Sequence, residues 1–373
     1  MMFSMTSFSR RKCWFPFLFP FSLLYGIIVS IRNKLFDLHI LRSIEFDLPV
    51  ISVGNITVGG TGKTPHVEYL LTLLSRQFHV AVLSRGYKRK TKGFILAGEG
   101  SSPEEIGDES YQMKLKFNQV LVAVDENRVH GIDMLKQKAE KLRCVILDDA
   151  YQHRHVRPGL SILLVNFYRP LHKDHILPLG DLRESRCGIN RADIVIITKV
   201  PRDIKPGEAQ DWIKDMNITP HQCLYFTTFQ YGSIIRVFDG ENKLRNLIDF
   251  DRKTLQILLL TGIANNEPLY RELSKYCNSI QVLKYSDHHA YSMADLRAVH
   301  KLFRNLQGKN KLVITTEKDA VKIRKIDTID FELKESMYYL PIQVKFVDDK
   351  QVEFEQHILD YVAKNKRVGR FHS

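Results

Sequence analysis

A glycine-rich turn between an apolar run and a helical pattern constrains this chain more than any other feature. Residues 50–53 read VISV, and Val67 opens a series of apolar residues at i, i+3, i+4 and i+7, which is one face of a helix. The turn between them contains Gly59, Gly60, Thr61, Gly62, Lys63 and Thr64. Glycines let backbone N–H groups surround an anionic phosphate, and the N-terminus of the next helix adds a partial positive charge. The stretch therefore predicts a strand–loop–helix phosphate site.

The residues at the end of this turn have the chemistry needed to hold a nucleotide. Lys63 would reach the outer phosphates, and the hydroxyl of Thr64 would face Mg²⁺. Thr57 stands where the usual phosphate-loop spacing has a glycine. The alternative is a glycine-rich turn with a lysine beside it by chance. The strand before the turn and the helix after it favour the phosphate site.

Asp148 and Asp149 end an apolar run, VILDD, that indicates a strand. A carboxylate at the carboxyl end of a strand beside a phosphate loop holds Mg²⁺ directly or through water. Taken alone, the pair would equally suit a helix cap after a strand. Together with the loop upstream, the pair predicts the metal site.

The length and the net charge of the chain limit its expected domain count and the kinds of partner it can bind. A chain of 373 residues is long for one hydrophobic core, so two domains are expected. The formal net charge of +13 favours anionic partners such as a nucleotide or an acidic membrane surface. The sequence has no RNA-binding signature, zinc-finger spacing or low-complexity basic tract, so no nucleic-acid partner is expected. Its five cysteines are dispersed without a CxxC pair, which fits a reducing cytosol.

Strand and helix patterns alternate along most of the chain. Short apolar runs indicate strands at residues 80–83, 119–124, 143–147, 160–165 and 193–197. This alternation predicts an α/β fold with a doubly wound, mostly parallel sheet of the P-loop NTPase type, whose ligands bind at the carboxyl ends of the strands. Residues 201–220 are polar and indicate a loop at the edge of this first domain. A second, smaller α/β series begins near residue 255.

The N-terminal segment is apolar and follows a basic cluster. Residues 10–12 are basic, and the run from 13 to 31 has no charged residue. A signal peptide is disfavoured because no small-residue cleavage site follows, and Pro16 and Pro20 would interrupt a spanning helix. An interfacial helix that begins near Pro20 fits better, with a buried core helix as the alternative. We therefore expect this segment to lie on a membrane surface.

Residues 53–65, VGNITVGGTGKTP, resemble the phosphate loop of the lipid A 4′-kinases, or tetraacyldisaccharide 4′-kinases. Further motifs extend this resemblance across nearly the whole chain. The resemblance implies a membrane-associated enzyme that uses ATP and Mg²⁺ to phosphorylate a lipid disaccharide during lipopolysaccharide synthesis. It also implies two α/β domains joined by a two-stranded link, and an N-terminal helix that binds the inner membrane from the cytoplasm.

Shorter motifs assign phosphate and substrate residues by the same resemblance. The stretch DDAYQHR, which includes Gln152, resembles the family's DDGFQHR. The stretch LPLGDLRES resembles LPxGxLREP, so that Arg183 would neutralise phosphate charge and Glu184 would assist the metal or orient a basic group. A solvated ion pair is the alternative for these two residues. Three more positions match family residues at the phosphate or near the substrate: Arg128 in DENR, and Arg85 and Tyr87 in SRGY.

Asp108, in GDES, suits either a helix N-cap or a general base, and an isolated Asp is more often a cap. The resemblance reverses this preference, because the family's GDEP motif contains the proposed catalytic base. The stretch 287–289, DHH, resembles the family's F-x-D-H-H. Sequential histidines diverge and no third metal ligand is evident, so we expect His288 to be the partner of Asp108 across the interdomain cleft. TEKDA at 316–320 also matches the family and indicates a structural ion-pair turn.

These observations predict a domain order and an activity. The segments are a membrane-associating region at 1–48, a P-loop kinase core at 49–223, a β link at 224–254, a second α/β domain at 255–336, and a return strand with a C-terminal helix at 337–373. The predicted activity is transfer of the γ-phosphoryl group of ATP to the 4′-hydroxyl of a lipid A disaccharide precursor, at the cytoplasmic face of the inner membrane and without an obligate protein partner. The alternative is a membrane-associated P-loop ATPase switch with a protein partner.

Overall fold

Strands and helices alternate through two sheets in the computed structural model, which describes residues 15–201, 204, 206–238, 244–326 and 329–364. The basic cluster at 10–12 and the basic tail after residue 364 lie outside these residues. The strands are β1 Val50–Gly54, β2 Val80–Ser84, β3 Ile95–Leu96, β4 Leu121–Val124, β5 Cys144–Asp148, β6 Leu160–Asn166, β7 Ile194–Thr198, β8 Cys223–Tyr231, β9 Ile234–Arg236, β10 Leu244–Arg245, β11 Leu255–Thr261, β12 Ser279–Lys284, β13 Asn310–Thr316, β14 Met337–Leu340 and β15 Ile342–Phe346.

The helices lie between these strands and at both ends of the described chain. They are α1 Phe15–Asp37, α2 Lys63–Leu74, α3 Pro103–Ile106, α4 Asp108–Lys116, α5 Arg128–Lys138, α6 Pro206–Asp215, α7 Glu267–Leu273, α8 Met293–Asn305, α9 Glu317–Ile323, α10 Phe331–Ser336 and α11 Gln351–Lys364. Short 3₁₀ turns occupy Leu171–Lys173, Arg186–Arg191 and Leu247–Asp249.

The larger sheet has nine strands in the order β15-β8-β7-β6-β1-β5-β2-β4-β3. Its strands pair in parallel except at β3 and β15, the two edges. Successive residues of a strand face opposite sides of a sheet, and helices cover both sides here. Ile146 is buried in one core with Leu71 of α2, while Val145 is buried in another with Ile132 of α5. The prediction of a doubly wound, mostly parallel sheet is confirmed.

The second sheet has six strands in the order β10-β9-β14-β13-β11-β12. Its central strands β11, β12, β13 and β14 are parallel, and β9 joins them antiparallel. The chain enters this sheet from β8 into β9 and leaves it from β14 into β15, which pairs with β8 in the larger sheet. Helix α11 then packs against the larger sheet through Phe354, Ile358 and Val362. The division of the chain into the five predicted segments stays a prediction.

Strand order brings the two predicted phosphate elements together. Strands β1 and β5 are parallel neighbours, with Val53 paired to Asp148. Because the carboxyl ends of parallel strands meet at one edge of a sheet, the loop that follows β1 and the carboxylates that end β5 share that edge.

Two local predictions were wrong. Residues 201–220 were expected to be a loop, but they include helix α6, which buries Trp212 beside Phe167. This helix was not predicted because charged residues dominate its sequence and its apolar stripe is short. Helix α1 was expected to begin near Pro20 but begins before it and contains it. Pro16 is among the first four residues, whose N–H groups have no partner within a helix, whereas Pro20 removes one backbone hydrogen bond from the second turn.

Candidate active site

The glycine-rich turn folds as a cradle at the N-terminus of α2. Gly59 and Gly62 have φ angles of 98° and 89°, in the left-handed region that glycine adopts without strain. A Cβ atom on Gly62 would lie 2.5 Å from Cζ of Phe229, so no larger residue fits there. Helix α2 begins at Lys63, immediately after this glycine. The backbone N–H groups of its first turn are therefore directed at the loop, as an anion site requires.

Side chains from neighbouring strands hold the loop from outside. The amide of Asn55 donates to Oγ1 of Thr61 at 2.9 Å, and Oγ1 of Thr198 donates to the carbonyl of Thr61 at 2.8 Å. Lys199 Nζ donates to the carbonyl of Gly60 at 2.6 Å. Sequence reasoning missed Asn55 and Lys199 as loop supports. The position of Lys199 directly after a predicted strand was the one available signal.

Lys63 lies between the loop and the carboxylates of β5. Its Nζ is 3.4 Å from Oδ1 of Asn55 and 3.5 Å from Oδ1 of Asp149. Asp149 has a φ of 50°, and the same Oδ1 accepts a hydrogen bond from Arg183 at 3.0 Å. The residue of this turn with left-handed backbone angles is thus Asp149, and aspartate tolerates that conformation. Ala150 does not adopt it, so alanine can stand where the family has glycine. Two cations and one carboxylate converge where an outer phosphate would lie.

Asp148 is a buried carboxylate at the end of β5 whose surroundings suit a metal ligand. Its side chain is buried, and Oδ1 has no hydrogen-bond partner within the described residues. Burial, together with the charge of Asp149, raises the pKa of Asp148 from 3.8 to about 7. A buried carboxylate with an unused oxygen fits the hard-oxygen ligand set of Mg²⁺. Thr64, half-buried in the first turn of α2, is the predicted hydroxyl ligand.

Replacing Asp148 with Asn should stabilise the ligand-free protein in a pH-dependent way while removing activity. The folded protein holds this proton more tightly than the unfolded chain, so ionising Asp148 costs stability as pH rises from 3.8 towards 7. Asn carries no such cost. We expect a clearly higher Tm for Asp148→Asn at about pH 8 and a smaller increase at about pH 5, measured without Mg²⁺. Asp133→Asn, at an exposed carboxylate of α5, is the control. An equal Tm change at both pH values would contradict this assignment.

The motifs around Gln152 and Glu184 form one hydrogen-bond network. Nε2 of Gln152 donates to Oε1 of Glu184 at 3.0 Å and to the carbonyl of Asn55 at 2.7 Å. Arg191 binds both oxygens of the buried Glu184 at 2.9 and 2.8 Å, and Asn33 of α1 donates to Oε2 at 3.0 Å. Glu184 is thus a buried carboxylate that accepts hydrogen bonds from three residues, rather than half of a solvated ion pair. Sequence reasoning missed Asn33 and Arg191.

Asp108 and His288 meet across the cleft between the two sheets. Asp108 opens α4, and Gly107 precedes it as a cap without a side-chain bond, so the carboxylate is not used as a helix cap. Nδ1 of His288 lies 2.9 Å from Oδ2 of Asp108, and Lys322 Nζ lies 2.7 Å from the same oxygen. Burial alone would raise the pKa of Asp108, but the hydrogen bonds from His288 and Lys322 outweigh it and lower the pKa to about 2. The carboxylate is therefore ionised throughout the physiological pH range.

Of the remaining predicted residues, Tyr87 lies at this cleft and Arg128 lies at the end of β5. The exposed ring of Tyr87 lies edge-on to the imidazole of His288, with 5.5 Å between their centres. Arg85 is exposed. Arg128 is buried and donates to the carbonyl of Asp125 at 3.0 Å, and burial lowers its pKa to about 10. Its distance of 3.5 Å to the carbonyl of Asp148 ties it to the end of β5, and its role at the phosphate stays a prediction.

Helix α1 lies beside this site through a polar face. Oγ of Ser22 donates to the carbonyl of Ile176 at 2.7 Å, the hydroxyl of Tyr25 to the carbonyl of Arg183 at 2.9 Å, and Arg32 to the carbonyl of Gln152 at 2.5 Å. The helix is long and apolar enough to cross a membrane by length and composition, yet only 6% of its most apolar window is buried. The core-helix alternative is therefore wrong.

A phosphate loop, a strand-end carboxylate pair and a carboxylate that faces the cleft together define a P-loop phosphotransferase. Comparison with known families makes the class specific: the family tetraacyldisaccharide-1-P 4′-kinase (LpxK) matches residues 14–363. The chain belongs to this family. The resemblance seen in the sequence motifs is thereby confirmed.

Individual relatives agree with this membership. A tetraacyldisaccharide 4′-kinase of Bacteroides thetaiotaomicron is 48% identical over 360 residues, covering 95% of each chain. One from Flavobacterium johnsoniae is 42% identical, covering 93% of this chain and 97% of that protein. A crystal structure of LpxK from Aquifex aeolicus in complex with ATP superposes with a TM-score of 0.70 at 28% identity, covering 92% of this chain and 98% of that one.

Proposed function

We propose that this chain is an ATP-dependent kinase that phosphorylates the 4′-hydroxyl of a tetraacyldisaccharide 1-phosphate, a step of lipid A formation. Family membership over residues 14–363 supports this activity. The observation in the structure that carries it is the approach of Lys63 Nζ to Asp149 at 3.5 Å, because it joins a phosphate loop to a strand-end carboxylate.

The loop and its neighbours would hold the nucleotide. Backbone N–H groups of residues 59–64 would bind the phosphates, with Lys63 neutralising their outer charge. Thr64, Asp148 and Asp149 would hold Mg²⁺, and the unused Oδ1 of Asp148 fits that role. Mg²⁺, when bound, neutralises charge on the β- and γ-phosphates.

The acceptor would bind beside Asp108, which takes the proton. His288 and Lys322 both bind Oδ2 of Asp108. Oδ1 is the oxygen left for the 4′-hydroxyl. As the hydroxyl proton moves to Asp108, the acceptor oxygen forms a bond to the γ-phosphorus. The bond from that phosphorus to the bridging oxygen breaks, and its electron pair leaves on ADP. Such a transfer depends mainly on positioning and charge neutralisation.

The dependence of ADP release on acceptor separates this kinase from an ATPase switch. The purified chain should release ADP from ATP only when the lipid disaccharide 1-phosphate is added, with no protein partner present. A switch would instead hydrolyse ATP without the lipid and would respond to a partner protein. Release of ADP at the same rate with and without lipid would contradict the proposal.

The exposed surface of α1 supports binding to the cytoplasmic face of the inner membrane. Its polar face is occupied by bonds to the active-site loops, while its other sides expose Phe17, Phe21, Leu24, Ile28 and Ile31. A helix docked along its length on a polar domain cannot also be surrounded by hydrocarbon, so it would lie in the interface rather than span it. ATP and reduced cysteines favour the cytoplasmic side. The lipid headgroup would then reach the cleft from the membrane plane.

Substituting charged residues into this exposed face of α1 should weaken binding of the protein to membranes. We expect Leu24→Glu, Ile28→Glu and Ile31→Glu together to reduce the fraction bound to anionic vesicles about tenfold or more, because apolar burial supplies most of the binding. Docking should survive, since all three side chains are exposed. Ile248→Glu, an exposed apolar position in the second sheet's lobe, is the matched control. Unchanged sedimentation with vesicles would show that α1 does not bind the membrane.

A further inference from the structure

The TEKDA segment, expected to be a structural turn, opens helix α9, which places Lys318 and Lys322 at the Asp108–His288 pair. Lys318 and Lys322 are four residues apart in α9, so they share one face of the helix. Lys322 Nζ lies 2.7 Å from Oδ2 of Asp108. Lys318 Nζ lies 3.1 Å from Nε2 of His288 and 3.0 Å from Oε1 of Glu109. Both lysines belong to the part of the chain that forms the second sheet. Lys322 reaches Asp108 and Lys318 reaches Glu109, and both of these acidic residues belong to the part that forms the larger sheet.

Other residues of the segment fix the helix in this position. Thr316 caps α9 by accepting a hydrogen bond from the N–H of Asp319 at 3.1 Å. The buried carboxylate of Asp319 accepts from the N–H of Gly262, at the end of β11, at 2.9 Å. The threonine and the aspartate thus anchor the helix to its own sheet. The two lysines are left to point across the cleft.

The contact between Lys318 and His288 determines which ring nitrogens carry a proton. A lysine ammonium only donates hydrogen bonds, so Nε2 of His288 must offer a lone pair to it. The proton of a neutral imidazole then lies on Nδ1, which faces Asp108. The other groups around the ring are Tyr87 and Asp287, whose Oδ2 is 3.9 Å from Nε2. The ion pair of Lys318 with Glu109, at 3.0 Å, holds its ammonium beside the ring.

We propose that Lys318 and Lys322 are positioning residues for the Asp108–His288 pair, with Lys318 holding His288 as the neutral imidazole protonated at Nδ1 and Lys322 fixing Oδ2 of Asp108. This inference rests on the proposed kinase function. A neutral His288 donates to Asp108 without a formal charge, and so leaves more basicity on the carboxylate than an imidazolium would. Lys322 and His288 together occupy one oxygen and leave the other for the acceptor. A closed cleft is needed for both contacts.

The protonation of His288 tests this directly, without reference to activity. In ¹⁵N-labelled full-length protein near neutral pH, the His288 ring of the parent should show one protonated nitrogen, Nδ1. In Lys318→Ala and in Lys318→Met, Nε2 should gain a proton as well, because Asp108 and Asp287 then face the ring while no ammonium lies at Nε2. Lys318→Arg, also a cation that only donates, should behave as the parent. A single protonated Nδ1 in both Ala and Met variants would overturn the proposal.

Kinetics separate positioning from simple attachment of the two lobes. Lys318→Ala and Lys322→Ala should each lower kcat about 10- to 100-fold with little change in the KM for ATP, and Lys318→Arg should recover most of the loss at position 318. Lys325→Ala is the control, because Lys325 also crosses the cleft, 3.8 Å from Glu104, without touching the pair. If kcat fell equally in all three Ala variants, the lysines would serve only to hold the two parts of the protein together, and the proposal would be overturned. An inactive parent protein would contradict the kinase function, and the ring spectra would still decide the role of Lys318.

Discussion

Lys63→Ala should abolish phosphoryl transfer while the fold survives. The ammonium is the loop's own cation and lies 3.5 Å from the carboxylate of Asp149, where the outer phosphates would be held. Its loss removes charge neutralisation from a transition state that depends on it. The side chain is partly exposed and packs in no core, so the free energy of unfolding should change little. Thr64→Ala should also be inactive, through loss of the hydroxyl proposed to hold Mg²⁺.

Steady-state kinetics and thermal unfolding on the same preparations test this expectation. We expect kcat to fall at least about 10³-fold in Lys63→Ala, with a Tm close to the parent's. Lys136→Ala is a suitable control, since Lys136 bonds Asp47 in an exposed pair away from the loop. A folded Lys63→Ala protein with near-normal kcat would remove the basis for the phosphate-loop assignment.

Asp108→Ala and His288→Ala should each lower kcat by about 10²–10⁴, the usual range for a positioned acid–base group. The two residues share a hydrogen bond of 2.9 Å, so they act as one unit and their effects should not add. The double variant should therefore be little worse than the poorer single variant. The affinity for ATP should barely change, because neither side chain belongs to the phosphate loop.

A double-mutant cycle decides whether the pair is functional. Asp108→Asn is a useful companion, because it keeps the shape of the side chain while it loses the negative charge and with it the ability to accept the proton. Fully additive losses would show two independent roles. A silent His288→Ala would leave Asp108 without its proposed partner, and Lys318 without a function at the ring.

Local sequence patterns were sufficient to predict the fold and the phosphate site. Strand β1, the glycine turn and α2 are contiguous, so apolar spacing and glycine placement determine them without help from the rest of the chain. Asp148 and Asp149 were predictable because an apolar run ends on them and parallel strands share one edge. The position of His288 opposite Asp108 followed from family motifs, since nothing local to either residue indicates a contact between residues 180 apart.

The rest depends on contacts between distant segments. The roles of Lys318 and Lys322 appear only when the two lobes face each other, because a lysine in a polar helix is indistinguishable from a solvated one by sequence. Asn33 and Arg191 become anchors of Glu184 only once α1 and the turn after residue 185 lie against the site. Helix α1 was expected to begin near Pro20 because proline locally disfavours a helix before it, whereas the bonds that dock the helix come from distant segments.

One transfer experiment tests the central claim most directly. Purified full-length protein would be incubated with Mg²⁺, ATP labelled in the γ-phosphoryl group and a tetraacyldisaccharide 1-phosphate, and the lipid products would be separated and analysed by mass. We predict a lipid that has gained one labelled phosphoryl group at the 4′ position, and no product from a disaccharide that lacks the 4′-hydroxyl. Label recovered only as inorganic phosphate, with the lipid unchanged, would contradict the account.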